Sequence, residues 1–315
     1  MNDQRPPDIN EARPSSVRHL IGQPPVTEQI TVALDSAQQD NHKFDHALLV
    51  GPPGTGKTAT AQIIAAEMGT DFIEVLGQSL NSVGDLNALL LQATDRAVVF
   101  VDEAHELEKS LQVALYLALD QRRVLLQGSR KGSSPVGIAI QDFTLLLAST
   151  DEFQLLQPIR DRMRMTLRFQ FYRPEDLEQI TRLRAAALGW KVDDAVFPMI
   201  AQRSRGTPRL ALRLLQAARR VSRAEAENVI KIVHLGRACQ LEQIDALGLG
   251  PTDQQYLRIL LEGPTRLNML ASRLGLPTRT VAEVTEPFLI RAGLVVKDDQ
   301  GRRQLSAEGR EHAGQ

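Results

Sequence analysis

The chain has 315 residues, enough for two or three domains, with 43% hydrophobic and 24% charged residues. That composition excludes a wholly disordered chain, a collagen-like repeat and a disulfide scaffold. The lone cysteine, Cys239, has no internal partner, which fits a reducing compartment. The net charge is only −1, yet Gln154–Arg223 carries 15 Lys/Arg against 6 Asp/Glu. A local excess of nine positive charges can attract the phosphates of a nucleotide or a nucleic acid, or simply solvate several helix faces. Aromatics make up 4%, too few for a base-stacking platform. No run of about 18 apolar residues marks a membrane span. The polar, Pro-bearing start, Met1–Asn10, is unlike a secretory signal, so a cytosolic (cytoplasmic) protein is expected.

Residues 1–16, with Pro6, Pro7 and Pro14, predict a flexible arm. Val26, Ile30, Ala33, Leu34 and Ala37 have helical spacing. Next come an apolar strand at His46–Val50, a glycine-rich turn and a helix over Ala59–Met68. Further buried strands are expected at Ala97–Val101 and Phe143–Ala148, with helices between them. Continuous apolar strands separated by helices predict a parallel sheet covered on both faces. Val124–Leu126 and Val136–Ile140 flank the turn-rich Gly128–Ser134, which predicts a protruding β-hairpin. Arg173-Pro174 followed by Glu175 and Asp176 is a good helix start, and the chain reads as helix from there to about Ala246. After a linker at Gly248–Pro251, short helices precede Gly293–Lys297, a turn, and Arg302–Leu305, the order of a winged helix.

The strongest chemical signal is Gly51-Pro52-Pro53-Gly54-Thr55-Gly56-Lys57-Thr58. It matches G-x-x-x-x-G-K-[ST] in full and lies between a strand and a helix, as a phosphate-binding loop requires. Its backbone N–H groups and the helix N-terminus suit phosphate oxygens, Lys57 suits the β- and γ-phosphates, and Thr58 suits Mg²⁺. Asp102-Glu103 ends the second apolar strand. Asp102 is the candidate for the metal shell and Glu103 for the attacking water. Thr150, closing the third strand, is a candidate contact to the γ-phosphate or the water. Arg160 and Arg162, in Pro158-Ile-Arg-Asp-Arg, are both candidates for a charge supplied to a neighbour's transition state. Arg209, in Gly206-Thr-Pro-Arg, is placed to reach phosphates from a second domain.

Other features invite plainer readings. His42 and His46 have no further ligands to complete a zinc site, Cys239 has no triad, and Trp190 reads as packing. The Leu/Ala stripe at Leu210–Ala218 reads as helix core.

With these residues in place the chain resembles the RuvB family, motors of Holliday-junction branch migration among the AAA+ ATPases. The loop and Val101-Asp-Glu-Ala-His105 are general to AAA+ proteins. More specific are Arg13-Pro14, Ile21-Gly-Gln-Pro24, Phe143-Thr-Leu, Pro158–Arg162, Gly206–Arg209, Leu270-Ala with Gly275, Glu286–Ile290, Gly293 and Gly301-Arg302. The resemblance implies an α/β fold: an AAA+ P-loop parallel-sheet domain (17–172) with a hairpin insert, a helical lid (173–246) and a C-terminal winged-helix domain (247–315). It assigns Thr150 as sensor 1, Arg162 as the arginine finger, Arg160 as its support and Arg209 as sensor 2. Ile21, Gly22 and Ala59 join the loop in contacting nucleotide. It further implies ATP and Mg²⁺ as cofactors, a homo-hexameric ring, duplex or four-way-junction DNA touched by Arg302, and a RuvA-like partner met by the hairpin at about 124–140. The expected function is an ATP-dependent DNA translocase in recombination and repair. A DNA-bound initiator or loader switch, and a protein-remodelling ATPase, are the alternatives.

Overall fold

A computed structural model describes residue 9 and residues 14–126 and 136–314. Most of the expected arm at 1–16 and the hairpin tip at 128–134 lie outside the described residues. The described chain divides into two compact units, residues 1–188 with 207–209, and residues 189–206 with 210–315.

The first unit begins with α1 (Pro24–Gln39), which prolines open at the first helical positions. There follow β1 (Ala47–Val50), α2 (Lys57–Met68), β2 (Phe72–Leu76), α3 (Val83–Gln92), β3 (Val98–Asp102), α4 (Lys109–Gln121), β4 (Arg123–Leu126), β5 (Val136–Ala139), β6 (Thr144–Ser149), the single turn α5 (Gln157–Arg160), β7 (Met165–Arg168) and α6 (Pro174–Ala187). Five strands form one parallel sheet in the order β2-β3-β6-β1-β7. Alternate side chains of the central strands pack on opposite faces. Ala47, Leu49, Val98, Phe100, Leu146 and Ala148 meet Ile30, Leu34, Ile63 and Ile64 of α1 and α2. Leu48, Val99, Val101, Leu145 and Leu147 meet Leu86, Leu90, Leu111 and Leu115 of α3 and α4. Apolar residues on both sides of each strand are what a sheet sandwiched between helices needs. β4 and β5 form the expected antiparallel hairpin.

Two strands of this sheet were not anticipated. β2 is an edge strand with no fully buried residue, and β7, at the other edge, buries only Leu167. Neither presents a continuous apolar run.

The second unit holds β8 (Lys191–Val192), α7 (Val196–Arg203), α8 (Pro208–Ala224, whose first two residues belong to the first unit), β9 (Val229–Ile230) and α9 (Ile232–Leu241). The all-helical expectation for 173–246 is therefore corrected by the parallel β8–β9 pair, whose two-residue strands carry no periodicity. The stripe at 210–218 is core: Ala211, Leu214, Leu215, Ala217 and Ala218 are buried. Trp190 lies under Arg219, 5.5 Å from the ring centroid.

Then come α10 (Pro251–Leu261), α11 (Leu267–Leu274), α12 (Thr278–Thr280, continued by a π turn to Thr285), α13 (Glu286–Arg291), the hairpin β10 (Val295–Lys297) and β11 (Arg303–Leu305), and α14 (Ala307–Ala313). Tyr256, Leu257, Leu260, Leu270, Leu289, Val295 and Leu305 form the core of this winged helix. Glu286 is buried there and accepts two bonds from Arg303, at 2.8 and 3.1 Å.

Candidate functional site

The phosphate loop runs from the end of β1 to the start of α2, and its shape is set by glycine and by the buried lysine. Gly54 has φ +77, and a Cβ there would lie 2.9 Å from Arg209 Cβ, so only glycine lets the loop and Arg209 approach. The Arg209 backbone N–H donates to the Gly54 carbonyl at 3.4 Å. This puts the Arg209 side chain, exposed, beside the loop.

Lys57 Nζ donates to the carbonyls of Gly51 (2.8 Å) and Pro52 (3.0 Å). The residue is 7% exposed. Burial lowers the Lys57 pKa, and Arg209 adds to that, while Glu103 and Asp102 oppose it. A buried ammonium held only by loop carbonyls is matched to an incoming anion. Thr55 Oγ1 also donates to Pro52 O (2.8 Å), which pins the loop on itself. Pro53 is exposed at its crest, Gly56 precedes α2, and Ala59 sits half-buried in the first turn of that helix.

The loop is braced from outside the motif. The Tyr172 hydroxyl donates to Thr55 O at 3.0 Å, and burial pushes the phenol up to about 12. Gly22 lies directly against the Tyr172 ring. Gln23 donates to Gln170 O (2.6 Å) and accepts from Gln170 N (3.0 Å). Through Tyr172, Gly22 is held in the neighbourhood of the loop. The sequence alone gave no sign of Tyr172 or Gln170, whose contacts span more than a hundred residues.

Thr58 Oγ1 donates to Asp102 Oδ2 at 3.0 Å, joining the first turn of α2 to the end of β3. A hydroxyl and a carboxylate side by side are the oxygen donors a hard divalent cation takes, with waters completing its shell. Glu103 has a left-handed backbone (φ 50). Its carbonyl faces Gly77, where a Cβ would lie 2.5 Å away. Gly77 follows β2 and carried no signal in the sequence. The Glu103 carboxylate stands 3.4 Å from His105 Nε2, and His105 Nδ1 stands 3.3 Å from Ser149 Oγ. Thr150 follows Ser149 at the end of β6, exposed.

The two candidate arginines are occupied elsewhere. Arg162 Nε donates to Asp120 Oδ1 at 2.7 Å, and its terminal nitrogens reach Asp120 Oδ2 and Pro158 O. Its guanidinium lies 4.8 Å from the Tyr116 ring centroid. Hydrogen bonding from Arg162 holds the Asp120 carboxyl below its ordinary range. Arg160 donates to Gln157 Oε1 (2.5 Å) and lies over Phe153, at 5.4 Å. In the second unit, Arg302 sits at the β10–β11 turn with its Nε 2.7 Å from Asp298 Oδ2. The other sequence features stay plain: His46 Nδ1 accepts from Leu145 N (2.8 Å), and Cys239 is buried. Among the described residues no helix is long and apolar enough to cross a membrane.

A five-stranded parallel sheet, a phosphate loop leaving its second-to-last strand, and an acidic pair closing β3 define a P-loop ATPase of the AAA+ class. Three family models match almost end to end: the Holliday junction DNA helicase RuvB P-loop domain at residues 12–169, the RuvB AAA lid domain at 172–245, and the RuvB C-terminal winged helix domain at 246–314. The chain belongs to the RuvB family. It is 39% identical over 307 residues to the Holliday junction branch migration complex subunit RuvB of Nocardia farcinica, covering 96% of this chain and 86% of that one. The protein of the same name from Mycobacterium tuberculosis is 38% identical over 295 residues, covering 92% and 86%. The Thermotoga maritima RuvB Holliday junction branch migration motor superposes with a TM-score of 0.83 at 34% identity, covering 96% of this chain and 98% of that structure.

Proposed function

We propose that this chain is an ATP-driven motor that moves Holliday junctions, working as a hexameric ring on DNA with a RuvA-like partner. The observation that carries the ATPase reading is the buried Lys57 ammonium, held by loop carbonyls beside the Thr58–Asp102 pair.

Triphosphate oxygens replace the Gly51 and Pro52 carbonyls as acceptors for Lys57, and the loop N–H groups and the α2 N-terminus complete the cradle. The residues Gly51 to Ala59, with Ile21, Gly22 and Arg209, surround the nucleotide. Thr58 and Asp102 hold Mg²⁺, which neutralises charge on the phosphates when bound. Glu103 orients the attacking water, and Thr150 contacts the water or the γ-phosphate. Arg162, supported by Arg160, serves the site of the neighbouring subunit, where a guanidinium stabilises the charge of the transferring phosphoryl.

Arg209 is the residue through which nucleotide state biases the elements that follow it on α8. The winged helix grips the DNA backbone with Arg302, so binding is salt-dependent and largely indifferent to sequence. The β4–β5 hairpin, with Leu125, Val136 and Ile138 exposed, offers an apolar surface to the partner.

The test is junction unwinding with the cognate RuvA-like protein. The wild-type chain should move junctions in ATP, Lys57→Ala should lose nucleotide binding, and Glu103→Gln should bind ATP and barely hydrolyse it. ATP-dependent DNA retention with no unwinding would favour a loader switch. ATPase stimulated by another protein and unaffected by DNA would favour remodelling of that protein.

A further inference from the structure

We infer that His105 is a positioning residue for Glu103, tying its carboxylate to the end of β6 and thereby turning it towards the phosphate loop. The inference rests on the reading of Glu103 as the group that orients water. Sheet order sets the geometry: β6 lies between β3, which Glu103 follows, and β1, which the loop follows. A Glu103 side chain drawn towards β6 is drawn towards the loop. Released, it can swing out to solvent, because it is 43% exposed.

The post to which it is tied is rigid. Ser149, the last residue of β6, is fully buried and paired with Val50 of β1. Its hydroxyl donates to Asp151 O (2.8 Å) and accepts from Asp151 N (2.9 Å). A tie to the Glu103 carboxylate needs the hydrogen on Nε2; in the neutral ring Nδ1 is then the acceptor, and the one Ser149 hydroxyl hydrogen is shared between it and Asp151 O. This fixes the ring, 11% exposed, with Nε2 facing Glu103. The residue after β6 is Thr150, so the two groups proposed to handle the water share one anchor.

A second carboxylate complicates the arrangement. Glu106 Oε1 lies 3.6 Å from the same Nε2. His105 is therefore shared between a carboxylate beside the loop and one outside it, and the two can be separated by substitution.

The experiment uses the full chain, with single-turnover ATP hydrolysis and nucleotide affinity measured on each variant. His105→Ala should slow hydrolysis about tenfold or more, since misplacing a reacting group by an ångström is that costly. Its nucleotide affinity should stay within about twofold, because the loop and Lys57 are untouched. His105→Gln, which keeps a donor, should recover part of the loss. Glu106→Gln should hydrolyse at the wild-type rate. In a Glu103→Gln background His105→Ala should cost nothing more, because the residue it positions is already disabled.

Wild-type hydrolysis in His105→Ala overturns the inference. So does the same fold-loss in both backgrounds, a parallel loss of nucleotide affinity, or a Glu106→Gln defect equal to that of His105→Ala. A wild-type chain unable to hydrolyse ATP would sink the functional reading, and this one with it.

Discussion

Gly77→Ala isolates the placement of Glu103 from the binding of nucleotide. Gly77 is outside the left-handed region, so alanine meets no backbone strain there. Its Cβ would, however, lie 2.5 Å from the Glu103 carbonyl oxygen, 3.2 Å from the carbonyl carbon and 3.4 Å from Asp102 O. An ordinary carbon–oxygen contact is about 3.3 Å, so the Glu103 backbone must move by roughly 0.8 Å. All three nearest atoms are backbone, with no flexible side-chain end among them to yield. A displacement of that size at a reacting group costs about 10- to 100-fold in turnover, or about 1.4–2.7 kcal/mol of barrier. Overpacking should also lower fold stability by about 1–3 kcal/mol. Steady-state ATPase, a fluorescent-nucleotide titration and urea unfolding measure the three effects. Gly236→Ala is the control, since a Cβ there meets nothing within 4 Å in α9 and alanine should stabilise the helix by about 0.5–1 kcal/mol. A folded Gly77→Ala chain with wild-type kcat would refute the claim that the Gly77 contact sets Glu103.

Mixing inactive Arg162→Ala chains with inactive Lys57→Ala chains should restore ATPase, because each supplies the half-site that the other lacks; a mixture as inactive as its parts refutes the shared site. Arg302→Ala should weaken duplex binding and flatten its salt slope by about one unit, and Asp298→Asn, which removes the charge facing Arg302 but keeps an acceptor for the turn, should do the opposite. Unchanged slopes in both variants would remove the wing from the DNA contact. Burial, with Lys43, Arg164 and Arg122 nearby, pushes His46 from its ordinary value of 6.5 down to about 3. The unfolded chain protonates this ring near pH 6.5 and the folded chain only near pH 3, so stability is lost as pH falls through that window, by up to about 5 kcal/mol from this group. His46→Asn should therefore flatten the acid limb of stability in urea titrations at pH 7 and pH 4, and parallel limbs would refute the assignment.

The sheet core was legible because its central strands, β1, β3 and β6, are apolar on both faces and stand out as runs. The edges were not: β2 alternates Phe72, Glu74 and Leu76 on a half-exposed strand, and the four residues of β7 include Thr166 and Arg168. The α14 helix was missed for a related reason. It is mostly polar and docks by backbone approach, Gly309 lying so close to Leu294 O that no side chain fits. Within the site, the phosphate loop was legible because its donors lie in eight consecutive residues. The braces were not, since Tyr172 to Thr55 spans 117 residues and Thr58 to Asp102 spans 44, and only the second pair belongs to a recognisable motif.

Arginines were the hardest residues to read, and their burial now separates them. The role proposed for Arg162 at a neighbour's site requires that its own chain hold it only weakly. The Arg162–Asp120 pair is 27% and 45% exposed, so it contributes about 1 kcal/mol or less, and the stacking on Tyr116 adds a comparable amount. Release is therefore cheap beside what a guanidinium gains at a developing phosphoryl charge. Arg303 is the opposite case. It is 13% exposed against a Glu286 that is 3% exposed, and removing it would leave that buried carboxylate to the half-exposed Lys297, 3.3 Å away, at a cost of a few kcal/mol. Arg303 is accordingly fixed in the fold of the wing. Its neighbour Arg302, 41% exposed and paired with Asp298 at the turn, can exchange that partner for a phosphate at little cost. Spacing along the chain treats the adjacent arginines alike, and only the surroundings of each guanidinium tell the one fixed in the fold from the one that can change partner.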